Sequence, residues 1–102
     1  MGKIEIDLKK ANQQADELER LANRLRQISR GSMGATLNNV SNSWECTNAT
    51  NFCRKGQAVA DNITLSADQL QKIANNIRVV AKRTYDAEKR VQEIAKQRTY
   101  KV

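Results

Sequence analysis

The feature that most restricts the fold is a spacing of three and four residues between apolar positions, repeated along two long stretches of the chain. In the first stretch these positions are Leu8, Ala11, Ala15, Leu18, Ala22, Leu25 and Ile28, and after a slip in register Met33, Leu37, Val40 and Trp44. In the second they are Phe52 or Cys53, Gly56, Ala60, Ile63, Ala67, Leu70, Ala74, Ile77, Ala81, Thr84, Glu88, Val91 and Ala95. This spacing is typical of helices that lie along other helices. It predicts two long amphipathic helices, and the absence of proline agrees with that prediction.

The spacing and the composition together predict an all-α fold. We expect one domain over residues 1–102: an antiparallel helix-turn-helix hairpin with helix 1 at about 8–41, a turn at about 42–47 and helix 2 at about 48–98. Asp7 is the expected N-cap of helix 1. Aromatic residues make up only 4% of the chain and hydrophobic residues 39%, many of them alanine. Because two such helices leave apolar surface uncovered, we expect two hairpins to pair into a four-helix bundle.

Two segments are expected to interrupt the helices. Asn, Ser and Thr are concentrated in residues 38–51, and their short polar side chains favour caps and turns, which predicts the turn there. Gly31 and Gly34 each cost about 1 kcal/mol relative to alanine inside a helix. They predict a bend or a close approach in helix 1 but do not require a break.

The net charge of +7 is concentrated towards the carboxyl end. Because helix 2 is expected to be the longer helix, its last turns should extend beyond helix 1 as a basic segment from Arg78 onward. Three interpretations remain open for this segment: a solvated helical face, a surface for an acidic partner, or a site for nucleic acid. The segment contains Arg78, Lys82, Arg83, Lys89, Arg90, Lys96, Arg98 and Lys101 together with Asp86, Glu88 and Glu93.

Several classes of function are excluded by what the chain lacks. There is no histidine, so a Cys/His zinc site or a His-assisted nucleophile cannot form. Cys46 and Cys53 would lie about 10.5 Å apart along a helix, beyond the roughly 7 Å that a disulfide tolerates, so both are expected to be thiols. We expect no catalytic residues, no metal and no cofactor. The apolar runs are too short for membrane insertion, and no signal peptide is expected at the amino terminus.

The residues of the expected turn resemble a known motif. Trp44, Glu45 and Cys46, followed by Phe52 eight residues after the tryptophan, resemble the Trp-Xaa-Gly motif of the small early-secreted-antigen-like proteins of type VII secretion. Cys46 stands where that family has glycine, which suggests a wider turn. The family's export motif, Tyr-Xaa-Xaa-Xaa-Asp/Glu, is approximated by Tyr85 with Glu88, one residue closer than in the motif.

The resemblance implies a non-enzymatic secretion substrate or adaptor. Its expected partner is a second copy, a related helical hairpin or the helical leader of a secreted Leu-Xaa-Gly toxin, and a secretion ATPase would recognise a composite export signal. The implied location is the bacterial cytoplasm, followed by export through a type VII route that needs no signal peptide. The alternatives are a basic helical nucleic-acid-binding protein, against which the interleaved acids argue, and a purely structural coiled-coil module.

Individual residues receive specific expectations. Trp44 is expected either only to pack at the end of the bundle or to pack there and also contribute to recognition, and Phe52 is expected to lie in the core. Tyr85 is expected either to act in export or to pack beside the line of apolar residues of helix 2. The residues expected to bind the partner are Leu18, Leu25, Ile28, Leu37, Val40, Ile63, Leu70, Ile77 and Val91.

Overall fold

A computed structural model describes the backbone of residues 2–43 and 47–100 and the side chains of residues 2–42 and 49–98. Helix α1 spans Lys3–Gln27, a π turn spans Ile28–Ser32, helix α2 spans Met33–Ser43 and helix α3 spans Thr47–Tyr100. Every described residue from Lys3 onward is helical, so the prediction of an all-α fold class is confirmed. The molecule is very elongated, with extents of 85 × 18 × 11 Å.

The first arm, formed by α1, the π turn and α2, lies along α3. Among the ion pairs that join α1 to α3 are Glu5 with Lys89 at 2.8 Å, Asp16 with Arg78 at 2.8 Å, and Arg26 with Asp68 at 3.0 Å. The two residue numbers in each of these pairs add up to 94. The first arm and α3 therefore run in opposite directions where they contact, and the start of α1 lies beside the last part of α3.

The centre of the contact between the arms is built from alanine. The buried residues are Ala15, Ala22 and Ser29 on the first arm and Ala49, Ala60, Ala67 and Ala74 on α3. Most of them recur at intervals of seven, so each arm presents one line of small side chains, and we call these two facing lines the alanine seam. Among the described residues no large side chain is fully buried. Alanine ends at Cβ, so the helices can approach closely but bury little apolar surface.

The π turn accounts for the slip in register of the first apolar stretch. Ser29 and Leu37, which both face α3, are separated by eight residues instead of seven, and a π turn accommodates one extra residue without ending the helix. Within this turn, Ser29 Oγ lies 3.0 Å from Thr64 Oγ1. After it, Leu37 packs directly against Gly56, where a Cβ would overlap its Cδ2 atom. The hydrogen-bonding pattern of the helix changes near Gly31, but the helix is not broken.

The expected N-cap at Asp7 is wrong. Helix α1 begins at Lys3, with Gly2 as the N-cap and without a side-chain capping bond. The helix extends earlier because Ile4 continues the apolar spacing and because Glu5 places an acid in the first turn, where the helix dipole favours negative charge.

The earlier start of α1 also corrects the expected basic overhang. Glu5 pairs with Lys89, so α1 covers α3 to about residue 91, and only the last turns of α3 extend beyond it. Arg78 and Lys89 lie within the paired region, and Lys82 bonds Asp86 on its own helix at 2.6 Å. The prediction that the overhang begins at Arg78 is therefore wrong.

The turn expected at 42–47 is only partly described. Helix α2 continues to Ser43 and α3 begins at Thr47, so Trp44, Glu45 and Cys46 lie outside the described residues. Within the described ranges, none of the helices contains a stretch long and apolar enough to cross a membrane.

Candidate partner-binding face

Polar residues gather along one edge of the contact between the arms, which we call the ion-paired edge. Arg78 donates to Asp16 Oδ1 at 2.8 Å and to Glu19 Oε2 at 3.4 Å, and Gln71 Nε2 donates to Glu19 Oε1 at 2.7 Å. About two helical turns further along α1, Arg26 donates to Asp68 and to Gln71. These residues follow the buried alanines by one and four positions in the heptad, which brings them to the same side of both helices.

The hydrogen bonds at this edge shift the pKa values of the groups involved. Gln71 and then Arg78 donate to Glu19 and hold the pKa of its carboxyl below the ordinary value. Asp16 raises the pKa of Arg78, and the bond from Lys89 lowers the pKa of Glu5. All these groups are open to solvent, so the ion pairs orient the two helices more than they stabilise them.

The opposite edge is apolar, and we call it the apolar face. Its exposed members follow a buried position by six residues, namely Leu21 (48% exposed), Ile28 (45%), Ile73 (49%) and Val80 (59%). Half-buried residues lie between them and the alanine seam: Leu18 and Leu25 on α1, and Ile63, Leu70 and Ile77 on α3. The result is one continuous apolar surface that crosses both arms.

An open groove runs along this face. Its walls are Ile73, Ile77 and Val80 of α3, and Ala11 and Ala81 form its floor between the helices, with Asn76 at the margin. A second groove near the end of α3 is lined by Ile4, Ala87 and Val91. Contiguous apolar surface of this kind usually marks a site where another protein binds.

The structure divides the residues expected to bind the partner into two groups. Leu18, Leu25, Ile63, Leu70 and Ile77 border the apolar face, and Ile28 lies fully on it. Two of the others, Leu37 and Val40, are half-buried in α2, and Leu37 contacts α3 instead of facing outward. Val91 is 66% exposed and lies near Ile4, where α1 begins.

Sequence analysis missed the most exposed members of the face. Leu21, Val59, Ile73 and Val80 were not among the expected contact residues. A signal for them was present, because α3 carries a second line of apolar residues at multiples of seven: Phe52, Val59, Ile73, Val80 and Ile94.

The expected position of Phe52 in the core is wrong within this chain. Its side chain is 56% exposed, while Cys53 and Gly56 occupy the inward positions of that turn. Phe52 immediately precedes the inward-facing Cys53. Because each residue is rotated around the helix axis relative to the next, Phe52 lies on the side of the apolar face. Cys53 is a free thiol, as expected, and its Sγ donates to the Leu37 carbonyl oxygen at 3.5 Å.

Tyr85 and Glu88 lie together, but not on the overhang where they were expected. Both line a cavity between the arms that also includes Ile4 and Leu8. The ammonium groups of Lys82 and Lys89 lie 5.9 and 5.8 Å from the centre of the Tyr85 ring, within the range of a cation–π contact. Phe52, on the same helix, is about 50 Å away along the axis.

Arg78, Lys82 and Lys89 each face a carboxylate, which interrupts any continuous row of bases that could follow a phosphate backbone on this edge. Comparisons of the chain with protein-family models, with curated proteins and with solved structures find no match.

Proposed function

We propose that this chain is a non-enzymatic helical hairpin that pairs through its apolar face with another helical protein, forming a four-helix bundle. The observation that carries the proposal is the separation of the two edges. Ionic and amide side chains satisfy one another on one edge, whereas Leu, Ile and Val remain about half exposed on the other. A surface divided in this way needs a second helical layer only on its apolar side.

The weakness of the alanine seam supports the same proposal. A core made of alanine side chains buries little apolar area per residue, so most of the hydrophobic stabilisation that the larger side chains could supply is still unused. Packing a second pair of helices on the apolar face would bury Leu21, Ile28, Ile73 and Val80. Partner binding would then contribute to the stability of the chain itself.

We further propose that the chain is a type VII secretion substrate or adaptor. The support is the resemblance of Trp44, Glu45, Cys46 and Phe52 to the Trp-Xaa-Gly motif, together with the proximity of Tyr85 to Glu88. Because Tyr85 and Phe52 lie near opposite ends of α3, a composite signal requires a partner whose opposite end lies alongside. Export would therefore depend on pairing.

The pairing is tested with a face variant, Ile73→Gln with Val80→Gln, and a matched control, Leu65→Gln with Val79→Gln. The control residues are equally apolar and exposed but project from the solvent side of α3. The chain is co-expressed with the neighbouring open reading frame, and complex mass is measured by light scattering after size exclusion. We expect the face variant to weaken pairing at least tenfold and the control to pair normally. Equal effects of the two variants would contradict the proposal.

Export is tested separately in the bacterial host. Trp44→Ala and Tyr85→Ala should each abolish release of the protein and its partner into the medium, while the purified complex keeps its mass. Secretion that continues unchanged in both variants would exclude the composite signal and leave only the pairing function.

A further inference from the structure

The charge of the molecule is distributed unevenly between its two edges, and this distribution constrains the partner. On each helix, the outer border of the apolar face is formed by the residues two positions after the heptad position that the alanine seam occupies. We call its bases, all of them exposed, the basic rim: Lys3, Lys10, Arg24, Lys55, Arg83 and Arg90. The acids on or beside this border are fewer: Asp7, Glu17, Glu93 and Asp86, and Asp86 already pairs with Lys82. Both arms contribute bases, so the rim flanks the apolar face on each side.

The carboxylates that could balance these bases are held elsewhere. Asp16, Glu19 and Asp68 lie on the ion-paired edge, where Arg78 and Arg26 bind them. Glu5 is held by Lys89. The fold thus uses these four acids to join the two arms to each other and leaves more bases than acids along the border of the apolar face.

We propose, on the basis of the pairing function above, that the partner is a helical protein whose apolar stripe is flanked by carboxylates, and that it is not a second copy of this chain. Lys3, Lys10, Arg83 and Arg90 lie near the end of the molecule at which Glu5 pairs with Lys89, so two copies facing each other in the same direction would bring these bases together. In the opposite direction, each basic end would lie beside the part of the other rim that contains Lys55, where no described acid lies on the border. Like charges at the border of an interface oppose association, whereas opposite charges accelerate it and select the partner.

The shape of the face favours a helical partner over an anionic membrane. Ile73, Ile77 and Val80 line a groove with alanine at its floor. The ridge of side chains on another helix can enter such a groove, as in helix–helix packing. A bilayer surface presents no ridge to enter it. Among the residues whose side chains are described, Phe52 and Tyr85 are the aromatic ones, and only Phe52 lies on the side of this face.

The test uses the full chain and two designed two-helix probes that share a stripe of Leu and Ile. One probe has Glu beside the stripe and the other has Lys. Binding is measured by fluorescence anisotropy at 50 mM and 500 mM salt, and self-association by sedimentation equilibrium. We expect the acidic probe to bind at least tenfold more tightly than the basic probe at low salt, with the difference shrinking at high salt. The chain alone should remain monomeric at these concentrations.

Charge-reversal variants locate the effect. Arg24→Glu with Arg83→Glu should reduce the preference for the acidic probe at least tenfold. Arg20→Glu with Lys72→Glu changes the net charge equally on the solvent side and should leave the preference intact. Equal loss in both variants would show that only the overall charge matters and would overturn the inference.

The remaining outcomes separate the inference from the pairing function on which it rests. Self-association tighter than binding of the acidic probe, or equal binding of both probes, overturns the acidic partner but leaves pairing in place. Binding to phosphatidylserine vesicles that depends on Ile73 and Val80, without binding of either probe, overturns both in favour of a membrane. Absence of any binding to the apolar face removes the pairing function as well.

Discussion

At the scale of single residues, the size of alanine controls how the two arms meet. Ala15, Ala22, Ala67 and Ala74 have no exposed surface, although no large side chain among the described residues is fully buried with them. They are covered because the opposing helix lies directly against them. A larger side chain at any of these positions would have to separate the helices or leave its preferred rotamer.

Ala67→Leu should therefore destabilise the chain, although leucine is more hydrophobic than alanine. We expect a loss of about 1–3 kcal/mol in the free energy of unfolding, because overpacking at a closed contact costs this much. Urea unfolding followed by circular dichroism measures the effect. Ala58→Leu is the matched control, since Ala58 is exposed on the same helix. Similar stabilities for the two variants would show that the seam is not tightly closed.

Glu19 provides a pH-dependent contribution to stability. Its pKa in the folded chain is lowered from the ordinary value of 4.5, chiefly by the hydrogen bond from Gln71 and then by Arg78. A lowered folded pKa means that the contribution is complete above about pH 4.5 and is lost as the pH falls through the folded pKa. We expect Glu19→Gln to reduce the decrease in melting temperature between pH 6 and pH 3.

The control for this pH dependence is Glu17→Gln, which removes an exposed carboxylate from the opposite side of the same helix. The Glu17→Gln variant should show the same decrease in melting temperature between pH 6 and pH 3 as the parent chain, measured by thermal unfolding in the same buffers. The interpretation of the Glu19 contacts would be wrong if both variants altered the acid dependence equally.

At the scale of elements, the π turn and α2 adjust the first arm to α3. The turn absorbs the extra residue between Ser29 and Leu37, so that α2 can continue the contact that α1 began. Gly56 then receives the Leu37 side chain in the space that its missing Cβ leaves open. The two glycines Gly31 and Gly56 therefore have different roles, although both lie within helices and neither has a positive φ.

Alanine substitutions should distinguish these two glycines. A Cβ at Gly31 would meet no atom within 4 Å other than its chain neighbours and the backbone of its own helix. Gly31→Ala should therefore stabilise the chain by about 0.4–1 kcal/mol through the lower entropy of the unfolded state. A Cβ at Gly56 would overlap Leu37, so we expect Gly56→Ala to give no gain. Urea unfolding measures both, and equal stabilisation would contradict the close contact of Leu37 with Gly56.

At the scale of the whole molecule, the shape is that of a rod. The radius of gyration is 23.4 Å, whereas a compact domain of about 100 residues has a value near 13 Å. A rod exposes a large surface for its mass, and most of its length is available for side-by-side contact. A partner that packs along the apolar face would extend over many helical turns, which suits a bundle of long helices.

Small-angle scattering can test this mode of pairing. The isolated chain should give a radius of gyration near 23.4 Å. Side-by-side pairing should double the mass and thicken the cross-section while the radius of gyration rises only slightly, because the long axis is unchanged. End-to-end association would instead nearly double the radius of gyration, and that result would exclude the bundle.

The amino-acid sequence by itself determined the helices and their approximate limits. The spacing of apolar residues over many turns is a local property, so the all-α class could be predicted without knowledge of packing. The same spacing also located the slip before Met33, which the structure explains by the π turn. The start of α1 was misjudged because the signals at Gly2 and Asp7 both permit a helix to begin.

Only the tertiary structure decided which apolar residues face the other arm and which stay open. The spacing put Ala67 and Ile77 in the same stretch and passed over Ile73, which belongs to a second line of apolar residues along α3. The choice depends on the other arm: alanine allows the closest approach, and that approach brings Arg78 to Asp16 and Glu19 on one edge. Ile73 and Val80 are consequently left on the opposite edge. Such pairing between distant residues has no local signature, which is why the apolar face and its basic rim emerged only from the packed structure.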